Sequence, residues 1–153
     1  MPLDGSGRTA AAVAEAPSWV LDTNVLVSGL LSPSGPPARL LDMVLARRLR
    51  LTLDERIEAE YREVLARPRL SIPGPRLEAL LAALEFQDWT TALPLQGTSP
   101  PDRDDVVFLE VATQAPGRIL VTGNERHFPR ACRGSVRVLA PAAAWRLFVQ
   151  ILR

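Results

Sequence analysis

The sequence predicts an α/β domain built on a mainly parallel sheet, and three observations favour this class. Short apolar runs alternate along the chain with segments of helical periodicity, as in strand–helix–strand units. The chain has 153 residues, which suffices for one domain with its own core. Hydrophobic residues make up 47% and charged residues 23%, a composition typical of globular rather than disordered proteins.

The first half of the chain contains two predicted strands and three predicted helices. Prolines and a glycine in 32–37 mark a loop, and Asp54 stands where it can cap a helix. The predicted elements are a strand at 19–21, helices over 23–31 and 37–48, a strand at 49–53 and a helix over 55–66.

The second half repeats this alternation after a break at the prolines of 73–75. The segment 89–95 is predicted as an edge strand and 96–101 as a loop. The remaining predicted elements are a helix over 77–86, a helix beginning at 102, strands at 119–121 and 136–139, and a helix beginning at 141. The last helix carries Trp145, Phe148, Val149 and Leu152 at the spacing of one apolar face.

Residues 1–17 are predicted to be a polar, alanine-containing leader, and 18–153 a single domain. The leader has no apolar stretch of the signal-peptide type, and no apolar run approaches the ~20 residues that a membrane span needs. The single cysteine, Cys132, has no partner for an intrachain disulfide, which indicates a reducing compartment. We therefore expect a cytoplasmic protein that does not enter membranes.

The charge composition excludes several classes of function. All 18 basic residues are arginine, so the chain has no P-loop lysine, Schiff-base lysine or lysine general base. The net charge of +1 argues against binding of nucleic acid through a simple excess of positive charge. If four carboxylates gather in one pocket, however, the rest of the molecule carries +5.

Polar side chains follow the first and fourth predicted strands and begin one helix. In open parallel sheets, ligands collect outside the carboxyl ends of the strands. The polar residues at these positions are Asp22, Asn24, Asp104, Asp105, Thr122 and Asn124. Such oxygen donors, with no cluster of histidine and cysteine, suit Mg²⁺ or Mn²⁺ rather than zinc.

Two of these assignments stay open on the residues alone. The acids of 102–105 also fit a helix N-cap and its first turn, where the helix dipole favours negative charge. On the helix over 55–66, Glu58 and Glu60 flank the apolar face on opposite sides and almost equally close to it. Helical periodicity cannot choose between these two carboxylates.

Four segments resemble the motifs of PIN-domain nucleases, in order along the chain. The first is 20–28, VLDTNVLVS, and the second is 55–65, in which the resemblance selects Glu60 over Glu58. The third is 102–109, which puts Asp105 in the family's third acidic position with Asp104 beside it. The fourth is 119–124, ILVTGN, where Asn124 stands in place of the aspartate of many members.

The resemblance implies a three-layer α/β/α sandwich that hydrolyses RNA phosphodiester bonds with Mg²⁺ or Mn²⁺. Asp22, Glu60 and Asp105 would bind one metal ion, and Asp104 or Asn124 would contribute to it or to a weaker second ion. Thr122 and Asn24 would position ligands or the attacking water. The closest likeness is to toxin components of bacterial toxin–antitoxin pairs, which implies an antitoxin protein as partner and a homodimer or higher homo-oligomer.

Two alternatives to an endoribonuclease remain. One is a PIN-like domain that binds RNA or protein without cleavage, which Asn124 favours and the intact acids oppose. The other is a DNA-cleaving nuclease of the same fold. Haloacid-dehalogenase-like phosphatases and receiver domains are excluded more firmly, since both normally need a lysine that this chain lacks.

Overall fold

The computed structural model describes residues 16–152 and contains a five-stranded sheet flanked by six α-helices. The strands are β1 Ser18–Leu21, β2 Arg50–Leu53, β3 Asp88–Trp89, β4 Ile119–Val121 and β5 Arg137–Leu139. The helices are α1 Thr23–Leu31, α2 Pro36–Leu45, α3 Glu55–Leu65, α4 Gly74–Ala83, α5 Arg103–Gln114 and α6 Pro141–Leu152. Short 3-10 helices occupy Pro68–Leu70, Leu84–Phe86, Glu125–His127 and Arg130–Cys132.

All neighbouring strands are parallel, in the order β3-β2-β1-β4-β5. The chain therefore builds outward from β1 to β3 on one side, then crosses back to add β4 and β5 on the other. Every residue of β1 and β4 is buried, so helices cover both faces of the sheet centre. The predicted α/β class and layered architecture are confirmed, and the sheet is parallel throughout.

The crossing point between β1 and β4 positions the carboxyl ends that matter for function. Val20 pairs with Leu120 and Leu21 with Val121, so these two strands end level with each other. The amide of Asp22 continues the ladder by donating to the Val121 carbonyl at 2.8 Å. At such a reversal of strand order the flanking connections diverge, and they leave a crevice for a ligand.

Helices α1 and α2 pack closely because of one glycine. A Cβ atom at Gly29 would lie 2.8 Å from the Pro37 carbonyl oxygen, a distance that real contacts do not allow. The two helices bring Leu26, Leu30 and Leu41 into the buried core. This packing holds the amino-terminal turn of α1, which follows β1 directly, at the carboxyl edge of the sheet.

Helix α3 is oriented by contacts at its start and along its buried face. The Asp54 carboxylate accepts a hydrogen bond from the Ile57 amide at 3.0 Å, as an N-cap does. The buried Tyr61 hydroxyl donates to the Leu21 carbonyl at 2.5 Å. The second contact ties α3 to the end of β1, so the helix presents its neighbouring residues to that edge.

Four elements differ from their prediction. Helix α2 ends at Leu45 rather than at 48, because Arg47 adopts a left-handed backbone conformation with a φ of 63°. In place of the strand predicted over 89–95, the structure has β3, which is two residues long (Asp88–Trp89). Its pairing stops there because β2 ends at Leu53, whose carbonyl accepts from the Thr90 amide. Helix α4 begins at Gly74, since Pro75 is compatible with a first turn. On α6, Phe148 is buried, whereas Leu152 of the predicted apolar face is exposed.

The predicted leader over 1–17 lies almost entirely outside the described residues. Within the part of the chain that the structure describes, none of the helices combines the length and apolar character of a membrane span.

Candidate active site

Asp22 lies at the end of β1 and is held by two polar neighbours. The residue is 7% exposed, and its carboxylate accepts a hydrogen bond from the Thr122 hydroxyl at 2.8 Å. The side-chain nitrogen of Asn24 lies 3.4 Å from the same carboxylate oxygen of Asp22. Thr122 belongs to the end of β4, so this hydrogen bond joins the two strand ends that meet at the crossing point.

The structure places Glu60, and not Glu58, beside the end of β1. The hydroxyl of Thr23, which begins α1, donates a hydrogen bond to the half-buried Glu60 carboxylate. Glu58 instead forms an ion pair with Arg62 one turn along α3, at 3.2 Å. The two acids that periodicity could not separate therefore have different surroundings.

The three acids at the start of α5 are also separated by their environments. Asp102 is the N-cap, and its carboxylate accepts from the Asp104 amide at 2.9 Å. Asp104 is exposed, whereas Asp105 is 8% exposed and faces inward. The capping interpretation therefore accounts for Asp102, and it does not account for the burial of Asp105.

The loop after β4 connects to the rest of the site through its backbone. The Asn124 amide donates to the Thr122 hydroxyl oxygen at 3.0 Å, and the Gly123 amide donates to the Asn24 side-chain oxygen at 3.0 Å. Hydrogen bonds that involve the predicted residues Asn24, Thr122 and Asn124 thus connect the loops that follow β1 and β4. The Asn124 side chain takes no part in these hydrogen bonds and contacts His127 instead.

The carboxyl groups of the site resist ionisation. Burial raises the pKa of Asp22, while hydrogen bonding to Thr122 opposes that change. Burial raises the pKa of Asp105 to about 6, with His127 opposing and the charge of Asp22 adding to the increase. Burial and the charges of Asp22 and Asp104 raise the pKa of Glu60. Like charges thus lie close enough to repel one another, and a cation among them would relieve the repulsion.

The donor set fits a hard divalent cation, although the side chains do not form a finished coordination sphere. The ligands on offer are carboxylate, hydroxyl and amide oxygens, which suit Mg²⁺ or Mn²⁺. Within residues 16–152, no group of three or more His, Cys, Asp or Glu side chains could hold an ion as it stands. Glu60 and Asp22 each use one carboxylate oxygen to accept from the hydroxyls of Thr23 and Thr122, respectively. These hydrogen bonds fix the orientation of the two carboxylates.

A groove of about 280 Å³ adjoins the acids between α3 and α5. Its lining residues are Arg56, Ile57, Glu60, Asp104, Val107 and Phe108. Arg56 is the arginine of this lining, and its guanidinium is held by Asp54 at 2.8 Å and by Glu110 at 2.7 Å. The groove thus combines an apolar floor, two acids of the candidate site and one fixed cation.

Sequence reasoning missed two members of this site. Thr23 was not singled out as the partner of Glu60, because nothing local indicates a contact with a residue 37 positions away. Sequence patterns assign His127 no role in the site, yet its Nδ1 atom lies 3.4 Å from an Asp105 carboxylate oxygen. The spacing Asn-x-x-His was a usable signal, since residues three apart meet on one turn of a 3-10 helix.

Comparison with known proteins adds one match. A family model described as PIN domain matches residues 18–126, more than two thirds of the chain. The matched stretch runs from β1 past β4 and includes every site residue predicted from the sequence. No curated protein matches the chain.

Proposed function

Because the chain belongs to the PIN-domain family, whose fold is that of metal-dependent nucleases, we propose that it is an endoribonuclease. The reaction is hydrolysis of RNA phosphodiester bonds with Mg²⁺ or Mn²⁺. One observation carries the proposal: Asp22, Glu60 and Asp105 come from three separate elements, and each has a raised pKa at the carboxyl edge of the sheet. Strongly perturbed carboxyl pKa values in a cleft are typical of functional sites, and a bound cation would relieve the repulsion.

Four carboxylates are the proposed metal ligands. Asp22, Glu60 and Asp105 would hold one ion, and the exposed Asp104 would contribute to it or to a weaker second ion. When bound, Mg²⁺ or Mn²⁺ supplies a water that ionises near neutral pH and positive charge beside the phosphate. The raised pKa values of Asp22, Glu60 and Asp105 support the assignment of these three, because such groups gain most from a neighbouring cation.

The uncharged residues of the site would orient these carboxylates. The Thr122 hydroxyl holds one oxygen of Asp22, and the Thr23 hydroxyl holds one oxygen of Glu60. The Asn24 side chain holds the loop after β4 through the Gly123 amide. These contacts restrict the conformations that the carboxylates adopt, so they would lower the entropic cost of bringing the carboxylates together around an ion.

A single substitution tests this activity. Asp22→Asn keeps the shape of the side chain and its hydrogen bond from Thr122 but removes the charge. We expect Mn²⁺-dependent cleavage of a mixed RNA pool to fall on the order of 100-fold or more. Asp42→Asn, at an exposed acid that pairs with Arg76, is the matched control and should cleave normally.

The reaction products separate the proposed nuclease from its alternatives. Equal cleavage by wild type and Asp22→Asn would contradict the assignment of the site. Mn²⁺-dependent cleavage of DNA but not RNA would favour a DNA-cleaving member of the fold. Binding of RNA without cleavage would favour the non-catalytic alternative. Sequencing of the cleaved ends would identify the preferred target.

We propose further that the protein is the toxin of a toxin–antitoxin pair, acting in the cytoplasm with an antitoxin protein. Apolar surface supports a partner: Phe86 is 62% exposed beside a groove of about 580 Å³ between α2 and α4. Val44, Leu45 and Ala82 contribute to that groove. A second copy of the chain, in a homodimer or higher oligomer, would also cover such a surface. Light scattering of the purified protein and of Phe86→Arg tests the homo-oligomer, which the variant should weaken.

A further inference from the structure

Asn124 stands midway along a continuous series of contacts between two carboxylates. On one side its backbone amide donates to the Thr122 hydroxyl oxygen at 3.0 Å, and that hydroxyl donates to Asp22 at 2.8 Å. On the other side its side-chain nitrogen lies 2.9 Å from His127 Nε2. The Nδ1 atom of the same imidazole lies 3.4 Å from Asp105. Asp22 and Asp105 belong to different elements, and Asn124 links them.

The local backbone makes this arrangement a built feature of the loop. Residues Glu125–His127 form one turn of 3-10 helix, in which the His127 amide donates to the Asn124 carbonyl at 3.1 Å. Side chains three residues apart lie above one another on such a turn. The buried Phe128, which follows the turn, anchors it to the core. The imidazole is therefore held between Asn124 and the start of α5.

The hydrogen-bonding roles of Asn124 and His127 are consistent with each other. The side-chain nitrogen of Asn124 can only donate, so His127 Nε2 is the acceptor. A neutral imidazole that accepts at Nε2 carries its proton on Nδ1. This nitrogen lies 3.4 Å from an Asp105 carboxylate oxygen, a polar contact longer than a normal hydrogen bond. The side-chain amide of Asn124 thus selects the tautomer that carries a proton on the ring nitrogen beside Asp105.

We propose that Asn124 and His127 are positioning residues: Asn124 orients the imidazole, and the imidazole orients the Asp105 carboxylate toward Asp22. This inference rests on the proposed function for the role of the two carboxylates. It assigns the side-chain nitrogen of position 124, which contacts His127, the task of orienting the imidazole. Outer partners of this kind hold a ligand in register before an ion arrives.

A double-mutant cycle on metal binding tests the pair without measuring catalysis. Calorimetric titration with Mn²⁺ alone would compare wild type, Asn124→Ala, His127→Ala and the double variant. We expect each single variant to bind Mn²⁺ about 10-fold more weakly. The double variant should be no weaker than either single variant, because both residues act along one path. Arg126→Gln, an exposed neighbour on the same 3-10 turn, is the control and should bind as wild type does.

The imidazole itself provides a second readout that needs no metal. His127 is the only histidine of the chain, so its long-range ¹H–¹⁵N correlations are unambiguous. At pH 8 in EDTA we expect the Nδ1–H tautomer in wild type and loss of that preference in Asn124→Ala. Far-ultraviolet circular dichroism and thermal melts of each variant establish that it is folded.

The outcomes separate this inference from the proposed function. Wild-type protein that binds Mn²⁺ and cleaves RNA, with unchanged affinity in the variants, would overturn the positioning role alone. So would losses that multiply to about 100-fold in the double variant, since Asn124 would then act independently of His127. An Nε2–H tautomer in wild type would also overturn it. Failure of wild type both to bind Mn²⁺ and to cleave RNA would overturn both proposals.

Discussion

Helices α3 and α5 and the residues around them hold two sets of buried carboxylates, which differ in what compensates their charge. Asp54 and Glu110 are 7% and 9% exposed, and Asp22 and Asp105 are 7% and 8% exposed. The first two share the Arg56 guanidinium, at 2.8 and 2.7 Å. The second two have uncharged amide and hydroxyl groups and an imidazole beside them: Asn24 and Thr122 contact Asp22, and His127 lies 3.4 Å from Asp105.

This difference shows that compensation, rather than burial, distinguishes a structural acid from a candidate ligand. An arginine between two acids balances their desolvation, and the cluster stabilises the start of α3 and the segment at Leu95, whose amide donates to Glu110. Among the residues that the structure describes, no arginine forms an ion pair with Asp22 or Asp105, and burial raises the pKa of both carboxyls. They therefore have a deficit of positive charge that a metal ion can fill.

The largest expected effect compares two acids at the same helix start. Asp105→Asn removes a charge from the candidate site, and we expect Mn²⁺-dependent RNA cleavage to fall on the order of 100-fold. Asp102→Asn replaces one good N-cap with another, so cleavage and stability should be unchanged. Initial rates with a fluorescent RNA substrate measure both variants. A similar loss in both would remove the distinction between cap and ligand.

The second comparison separates the two acids on the flanks of α3. Glu60→Gln should lower Mn²⁺-dependent cleavage at least about 10-fold, since it removes a charge beside Asp22. Glu58→Gln breaks only a surface ion pair with Arg62 and should leave activity within about twofold. The same rate assay decides the matter. Normal activity of Glu60→Gln would contradict the assignment of Glu60 as the site carboxylate on α3.

The third comparison concerns stability, where the two sets should respond with opposite sign. Asp54→Ala removes the N-cap of α3 and leaves Arg56 with one partner, which should cost about 1–2 kcal/mol of unfolding free energy. Asp105→Asn relieves a buried charge, so in EDTA it should unfold at higher urea concentration than wild type. Urea titrations followed by circular dichroism measure both. Destabilisation by Asp105→Asn would mean that its charge is already compensated.

The fourth comparison concerns how the same Asp105 contribution to stability depends on pH. The pKa of Asp105 is about 6 in the folded protein and 3.8 for the unperturbed group, so the folded state holds this proton more tightly. In EDTA its contribution to stability should therefore decline as pH rises from about 4 to about 6 and level off above. The difference between wild type and Asp105→Asn, measured by urea titration at each pH, isolates this contribution. Above pH 6, added Mn²⁺ should restore the stability that was lost, because the ion binds the ionised carboxylates.

The order and type of most elements could be predicted from the sequence alone. The strands at β1 and β4 are short continuous apolar runs that end in polar residues, and this pattern is local. Asp22 and Thr122 follow from the same pattern, since each comes directly after a strand. The length of β3 could not be predicted in this way, because a strand continues only as far as a neighbouring strand can pair with it.

The sequence by itself thus determined the α/β class, the parallel sheet and the carboxyl edge at which the acids gather. Only the tertiary structure decided which acids share that edge without compensation. Periodicity is symmetric about a helix face, so Glu58 and Glu60 become different only when Thr23 packs against one of them. The role of His127 likewise depends on the start of α5, 22 positions earlier in the chain. Local patterns set how each segment folds, whereas the charge that surrounds a carboxylate depends on segments distant in sequence.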